Sequence, residues 1–190
     1  LKRFGKKEKI HILGAGSNTL ISDKTFDGAV IKLGKNFSNI SLLPNKTIVA
    51  GSAASDKNLS LFALENNISG LEFLSCIPGT IGGGLRMNSG CFKKEFKDIL
   101  VSVQAVDRMG KVLTIPVSKI KFSYRGNDLD KDLIFLSASF KGKFKNVHTL
   151  TAPLWDMDND MNLMNYTPKQ FDFVHATQWR RFYKNTMEGY

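Results

Sequence analysis

The sequence predicts an α+β fold, and three observations predict it. Strand-like runs outnumber helical ones, the later strands are joined by short turns, and only one long segment before residue 147 carries a clear helical period. The 190 residues, 42% of them hydrophobic, are enough to fill a real core.

Taken in order, residues 9–13 form a short apolar run ending at Gly14, read as a buried strand feeding a tight turn. Residues 28–33 and 47–51 read as the next strands. Between these two, Leu42-Leu43-Pro44-Asn45-Lys46 carries turn chemistry: proline presets its own φ and asparagine tolerates a positive one. Residues 55–67 fit a helix with Leu59, Phe62 and Ala63 on one face and Ser55 or Asp56 as its cap, ended by Ile68-Ser69-Gly70. Residues 100–106 alternate and stop at Asp107-Arg108-Met109-Gly110, a turn from which residues 111–115 return. Residues 133–140 are long and apolar, as expected of a central strand.

Composition shifts near residue 147. The remaining stretch holds both tryptophans, four of six methionines and two of three histidines. Thr167-Pro168 suits a helix start, followed by Phe171, Val174, Trp179, Phe182 and Tyr183 on a partly amphipathic helix. Asp156-Met157-Asp158-Asn159-Asp160 begins like a calcium loop, but Met161 stands where that loop needs glycine and Thr167 where it needs glutamate. A solvated acidic turn is the expectation there.

Formal net charge is +10, which favours anionic partners. Basic clusters lie at residues 2–9 and at Lys141, Lys143 and Lys145, yet no nucleic-acid module accompanies them, so no nucleic-acid partner is expected. No apolar run approaches the ~20 residues that cross a bilayer, and no secretory signal is legible. The expectation is a cytoplasmic protein without a membrane partner. Cys76 and Cys91, with no second pair and no histidine at ligand spacing, fit a reducing compartment and give no reason to expect a metal.

Two glycine clusters carry the chemistry. The first, Gly14-Ala15-Gly16-Ser17-Asn18-Thr19-Leu20, follows a strand but matches neither the dinucleotide fingerprint G-x-G-x-x-G nor a Gly-Lys-Ser/Thr P-loop. It offers a backbone cradle with three short polar side chains, suited to a diphosphate. The second places five glycines within residues 75–90. Side chains are missing where the backbone must lie against something bulky, and amides are concentrated where an anion is held.

These clusters, as Gly14-Ala15-Gly16-Ser17-Asn18-Thr19-Leu20, Ile77-Pro78-Gly79-Thr80-Ile81-Gly82-Gly83 and Met87-Asn88-Ser89-Gly90, occur in order with Phe122-Ser123-Tyr124-Arg125. Together they resemble the UDP-N-acetylenolpyruvoylglucosamine reductase family over residues 9–143, about seven-tenths of the chain. The resemblance implies an FAD-binding fold of the vanillyl-alcohol-oxidase-like (PCMH-type) class. It would be incomplete here: a two-part FAD-binding core over residues 1–146 lacking its N-terminal portion, then a divergent, partly helical tail over 147–190 in place of the substrate domain.

The same resemblance implies that Gly14, Ala15, Gly16, Ser17, Asn18, Thr19, Ile77, Pro78, Gly79, Thr80, Gly82, Gly83, Asn88 and Gly90 hold FAD, with NADPH as hydride donor. Tyr124 and Arg125 would meet a UDP-sugar substrate, and Arg125 would be catalytic, its planar fork aimed at the substrate carboxylate. A core position for Tyr124 is the alternative. The family's proton-donating serine and its glutamate match no position here, and Cys91-Phe92-Lys93 stands where the family usually shows small residues, an aromatic or asparagine, and glycine.

The reading is therefore FAD- and NADPH-dependent reduction of UDP-N-acetylglucosamine enolpyruvate in peptidoglycan synthesis. The activity is expected to be impaired in this chain alone and completed by a complementary C-terminal fragment. The alternatives are a non-catalytic remnant or basic binding module keeping the flavin scaffold, and a different oxidoreductase of the same fold.

Overall fold

A computed structural model of the protein describes residues 8–144. The expected domain division at 146/147, and the helix and acidic turn expected beyond it, lie outside the described residues.

The chain begins with β1 (Ile10–Ile12), paired in parallel with β2 (Ala29–Ile31), Ile10 opposite Ala29. The Leu13 amide extends the pair by donating to the Ile31 carbonyl at 2.9 Å. Parallel neighbours need a crossover rather than a hairpin. Residues 13–28 make it without a helix, and the first glycine cluster sits in this loop.

Next come β3 (Ile40–Leu42) and β4 (Thr47–Gly51), an antiparallel hairpin. Its turn differs from the expectation in one detail. Lys46 takes the left-handed conformation, φ 61°, while Asn45 uses its side-chain oxygen to accept from the Thr47 amide at 3.1 Å. An asparagine serves a turn either way, and here it bonds the backbone two residues on.

Helix α1 (Asp56–Glu65) starts where the sequence placed it, with the Ser55 hydroxyl accepting from the Asn58 amide at 3.1 Å. It buries Asp56, Leu59, Ser60 and Ala63. The short β5 (Ile68–Ser69) and a 3-10 turn (Glu72–Cys76) lead to α2 (Ile81–Met87), a helix that the sequence reading missed. Three successive glycines argue against a helix, each costing about 1 kcal/mol relative to alanine. Packing overrides propensity: a Cβ on Gly84 would overlap the fully buried Phe96 ring, and one on Gly82 would sit 3.1 Å from the Ser52 Cβ.

The hairpin of β6 (Gly90–Cys91) and β7 (Lys94–Glu95) turns through Phe92 and Lys93, both left-handed, with φ of 52° and 60°. Strands β8 (Leu100–Val106) and β9 (Val112–Pro116) form the expected hairpin. In its turn Asp107 Oδ1 accepts from the Met109 and Lys111 amides. Then come the short hairpin of β10 (Phe122–Ser123) and β11 (Gly126–Asn127), the long β12 (Ile134–Lys141), and β13 (Lys143–Phe144), which pairs with β5.

The main sheet is antiparallel, in the order β3-β4-β12-β8-β9, so β12 is indeed central. One face of β8 and β12, through Val103, Ala105, Ala138 and Phe140, joins Leu59 and Ala63 of α1 and Ile81 and Leu85 of α2 in one core. This packing fixes α2 over the sheet.

Candidate functional site

The two glycine clusters, some sixty residues apart in sequence, meet. A Cβ built on Gly14 would lie 2.8 Å from Thr80 Oγ1 and 4.0 Å from the Gly83 Cα. One loop beyond, the Ser17 hydroxyl donates to the Pro78 carbonyl. A side chain at 14 would run into the Thr80 hydroxyl and its Cβ would touch the Gly83 Cα, which is why glycine suits this close pass. Gly16, at φ 82° with nothing near its would-be Cβ, turns the loop back, and the Thr19 amide donates to its carbonyl at 3.2 Å.

Among the described residues, the amides of Gly14, Ala15, Gly16, Ser17 and Asn18 find no acceptor. Polar backbone groups seldom stay unpaired except against water or a ligand. Successive amides in a turn of this kind make a concavity for an anionic oxygen. Ala15, Ser17, Asn18 and Thr19 are exposed around it.

The second cluster supplies the opposite wall. Pro78 and Gly79 lead into Thr80, whose backbone bridges Ser55, and the Ile81 and Gly82 amides donate to the Ala54 and Ser52 carbonyls at 2.9 Å. Ile77 packs partly against the core. Gly79 rests on Asp56: a Cβ there would lie 2.7 Å from its Oδ2. Asp56 is fully buried with no partner on either oxygen among the described residues, and burial pushes its carboxyl up to about 7.

The open amides of residues 14–18 adjoin a wall whose glycines pack against the protein's own atoms, Gly79 on Asp56 and Gly82 on Ser52, which fixes the course of its backbone. An anionic oxygen such as that of a dinucleotide's pyrophosphate suits the open amides. FAD fits these residues.

The far end of α2 carries the other implied residues. Asn88 caps the helix in the left-handed conformation, φ 43°, and is 4% exposed. Its side chain is committed inside the protein: Nδ2 donates to Glu95 Oε2 at 3.1 Å and to the Ser123 carbonyl at 3.3 Å, while Oδ1 accepts from the Lys97 amide at 3.2 Å. Glu95 is in turn ion-paired with Lys97, and these partners hold its carboxyl below the usual range. Gly90 opens the β6–β7 hairpin, where a Cβ would strike the Lys94 carbonyl.

Tyr124 and Arg125 form the tip between β10 and β11. Tyr124 is 83% exposed, which removes the core alternative, and the Arg125 guanidinium lies 5.3 Å from its ring centroid. Arg125 holds φ 56°, a conformation uncommon for a non-glycine residue.

Sequence reasoning missed Asn127. Its Nδ2 donates to the Leu85 and Arg86 carbonyls at 2.8 and 3.2 Å, and its Oδ1 accepts from the Leu129 amide at 3.1 Å. An asparagine two residues after Arg125 in a short hairpin was the available signal. Arg86 adds a third tie: its guanidinium donates to the Leu129, Asp130 and Leu133 carbonyls and stacks 4.3 Å from the Phe135 ring centroid.

The Cys91 thiol, within hydrogen-bond reach of Cys76, is pushed up chiefly by burial, away from thiolate character.

A UDP-N-acetylenolpyruvoylglucosamine reductase of Pelagibacter ubique is 75% identical over 146 residues, 77% of this chain and 48% of that protein. The enzyme of the same name from Rickettsia typhi is 52% identical over 136 residues, 72% of this chain and 46% of that one. The chain thus spans about half the length of these relatives.

Among solved structures, the UDP-N-acetylenolpyruvylglucosamine reductase of Thermus caldophilus superposes with a TM-score of 0.70 at 27% identity, covering 83% of this chain and 57% of that one. A CO dehydrogenase from Oligotropha carboxidovorans shares the fold at a TM-score of 0.56 and 10% identity, over 75% of this chain and 54% of that one. The profile described as "FAD binding domain" matches residues 4–116, more than half of the sequence, and the chain belongs to that FAD-binding family.

Proposed function

We propose that this chain is the flavin-binding part of a UDP-N-acetylenolpyruvoylglucosamine reductase, reducing UDP-N-acetylglucosamine enolpyruvate with NADPH in the cytoplasm for peptidoglycan synthesis. The observation that carries the reading is the meeting of Gly14 with Thr80 and Gly83, on a helix whose other end is bonded to the Arg125 turn. The Pelagibacter ubique relative supports it.

The chemistry such a flavin supplies is hydride transfer between a reduced nicotinamide and an electron-poor double bond. In this reading the open amides of residues 14–18 hold the pyrophosphate oxygens. Ser17 locks their loop to Pro78, and Gly79, Thr80, Gly82 and Gly83 form the backbone wall along which the ring would lie. Arg125 grips the substrate carboxylate, where negative charge grows as hydride adds to the double bond, and Tyr124 lies beside it. The proton donor and the acidic residue of the full reaction come from a complementary C-terminal segment.

The test is direct. Purified chain titrated with FAD is expected to quench flavin fluorescence and turn yellow. With NADPH and the enolpyruvyl nucleotide, turnover is expected only when the C-terminal half of the Pelagibacter ubique relative is added. Failure to bind flavin would leave the remnant reading standing. Oxidation of NADPH with another acceptor and none with this nucleotide would favour a different oxidoreductase of the fold.

A further inference from the structure

Helix α2 joins the glycine cradle to the Arg125 turn, and the join is made by two asparagines acting in opposite directions. Asn88, from the helix end, donates to the Ser123 carbonyl on one side of the turn. Asn127, from the other side of the same turn, donates to the Leu85 and Arg86 carbonyls at the helix end. The two residues between Ser123 and Gly126 are Tyr124 and Arg125, so the tip is held at both roots by side chains that reach the same helical terminus.

The remaining polar atoms of both amides are also used. Asn88 Oδ1 accepts from Lys97 and Asn127 Oδ1 from Leu129, so neither amide can turn over without leaving buried groups unpaired. A seven-residue helix spans about 10 Å, so α2 carries the turn's position rigidly from one end of the site to the other.

We infer that Asn88 and Asn127 are positioning residues for Arg125, setting the place of its guanidinium relative to the flavin through the rigid α2. The inference rests on the reading of Arg125 as the group that meets the substrate carboxylate. Arg125 is exposed and holds a left-handed backbone, and among the described residues its contact at the tip is with Tyr124 alone. The precision must come from the roots.

Two measurements on the full chain test this. In Asn127→Asp the side chain keeps its shape but loses its donor and faces two carbonyls. Asn88→Gly keeps the left-handed backbone and removes the amide. Hydrogen exchange across residues 122–127 is expected to speed up about tenfold in each variant, with exchange across residues 77–83 unchanged in both and FAD affinity unchanged in Asn127→Asp. Unchanged exchange at the turn, or a loss of FAD affinity in Asn127→Asp equal to any loss at the turn, would overturn the inference.

The second measurement is a double-mutant cycle on the FAD-loaded chain, reading the flavin absorbance change on titration with UDP-N-acetylglucosamine enolpyruvate. Asn127→Asp is expected to weaken nucleotide affinity about tenfold alone, and to do nothing further once Arg125→Ala is present. Additive losses would make Asn127 merely structural and overturn the inference. If Arg125→Ala leaves nucleotide affinity unchanged while the exchange result holds, the role proposed for Arg125 is what fails.

Discussion

The Cα of Gly83 lies 4.0 Å from the point where a side chain on Gly14 would begin. That approach brings a loop between two parallel strands against a helix lying over the main sheet, and it makes the cradle two-sided. Because Thr80 Oγ1 would lie only 2.8 Å from the same point, even a methyl group at position 14 must displace the Thr80 hydroxyl.

Gly14→Ala is therefore expected to weaken FAD binding by about tenfold, with a smaller effect on stability, since the loop is exposed and can yield. Gly84→Ala is expected to do the reverse. Its methyl would enter the buried Phe96 ring and cost about 1–3 kcal/mol of stability. Flavin titration and thermal melts of the two variants, compared side by side, check the pair.

Asp56 makes stability depend on pH. Its carboxyl loses its proton at about 7 in the folded chain against an ordinary 3.8, so between these values the folded state holds a proton that the unfolded state has released. Stability is then fullest below the ordinary value, falls as pH rises toward 7 by up to about 1.4 kcal/mol per pH unit, and levels off above it. Asp56→Asn should remove the slope, with a melting temperature near wild type at pH 4 and clearly higher at pH 8. Equal differences at the two pH values would reject this account.

Lys93 occupies a left-handed position where its side chain gains nothing visible to offset the strain. Lys93→Gly is expected to stabilise the chain by about 1 kcal/mol, read as a raised melting midpoint, because only glycine adopts this conformation without a Cβ penalty.

Arg86→Met should cost about 2–4 kcal/mol in a denaturant melt. Three carbonyls lose a charged donor and the Phe135 ring loses its stacking partner. Arg86→Lys should recover only part of this, since an ammonium cannot present the fork that reaches Leu129, Asp130 and Leu133 together.

Much of the fold is a consequence of local pattern. The bounds of β4 and β8, the Ser55 cap on α1, and the centrality of β12 all follow from alternation, capping chemistry and apolar length, properties each segment carries by itself. The close backbone approach of the two glycine clusters was legible for the same reason: residue types that open the backbone announce such an approach whatever lies opposite.

What lies opposite was decided only by tertiary structure. Residues 81–87 are helical against their own propensity because Phe96 and Ser52 leave no space for side chains. Asn88 and Asn127 acquire meaning only once β10 and β11 fold back onto the end of α2. Such positions depend on partners tens of residues away, and a sequence read locally holds no term for that packing.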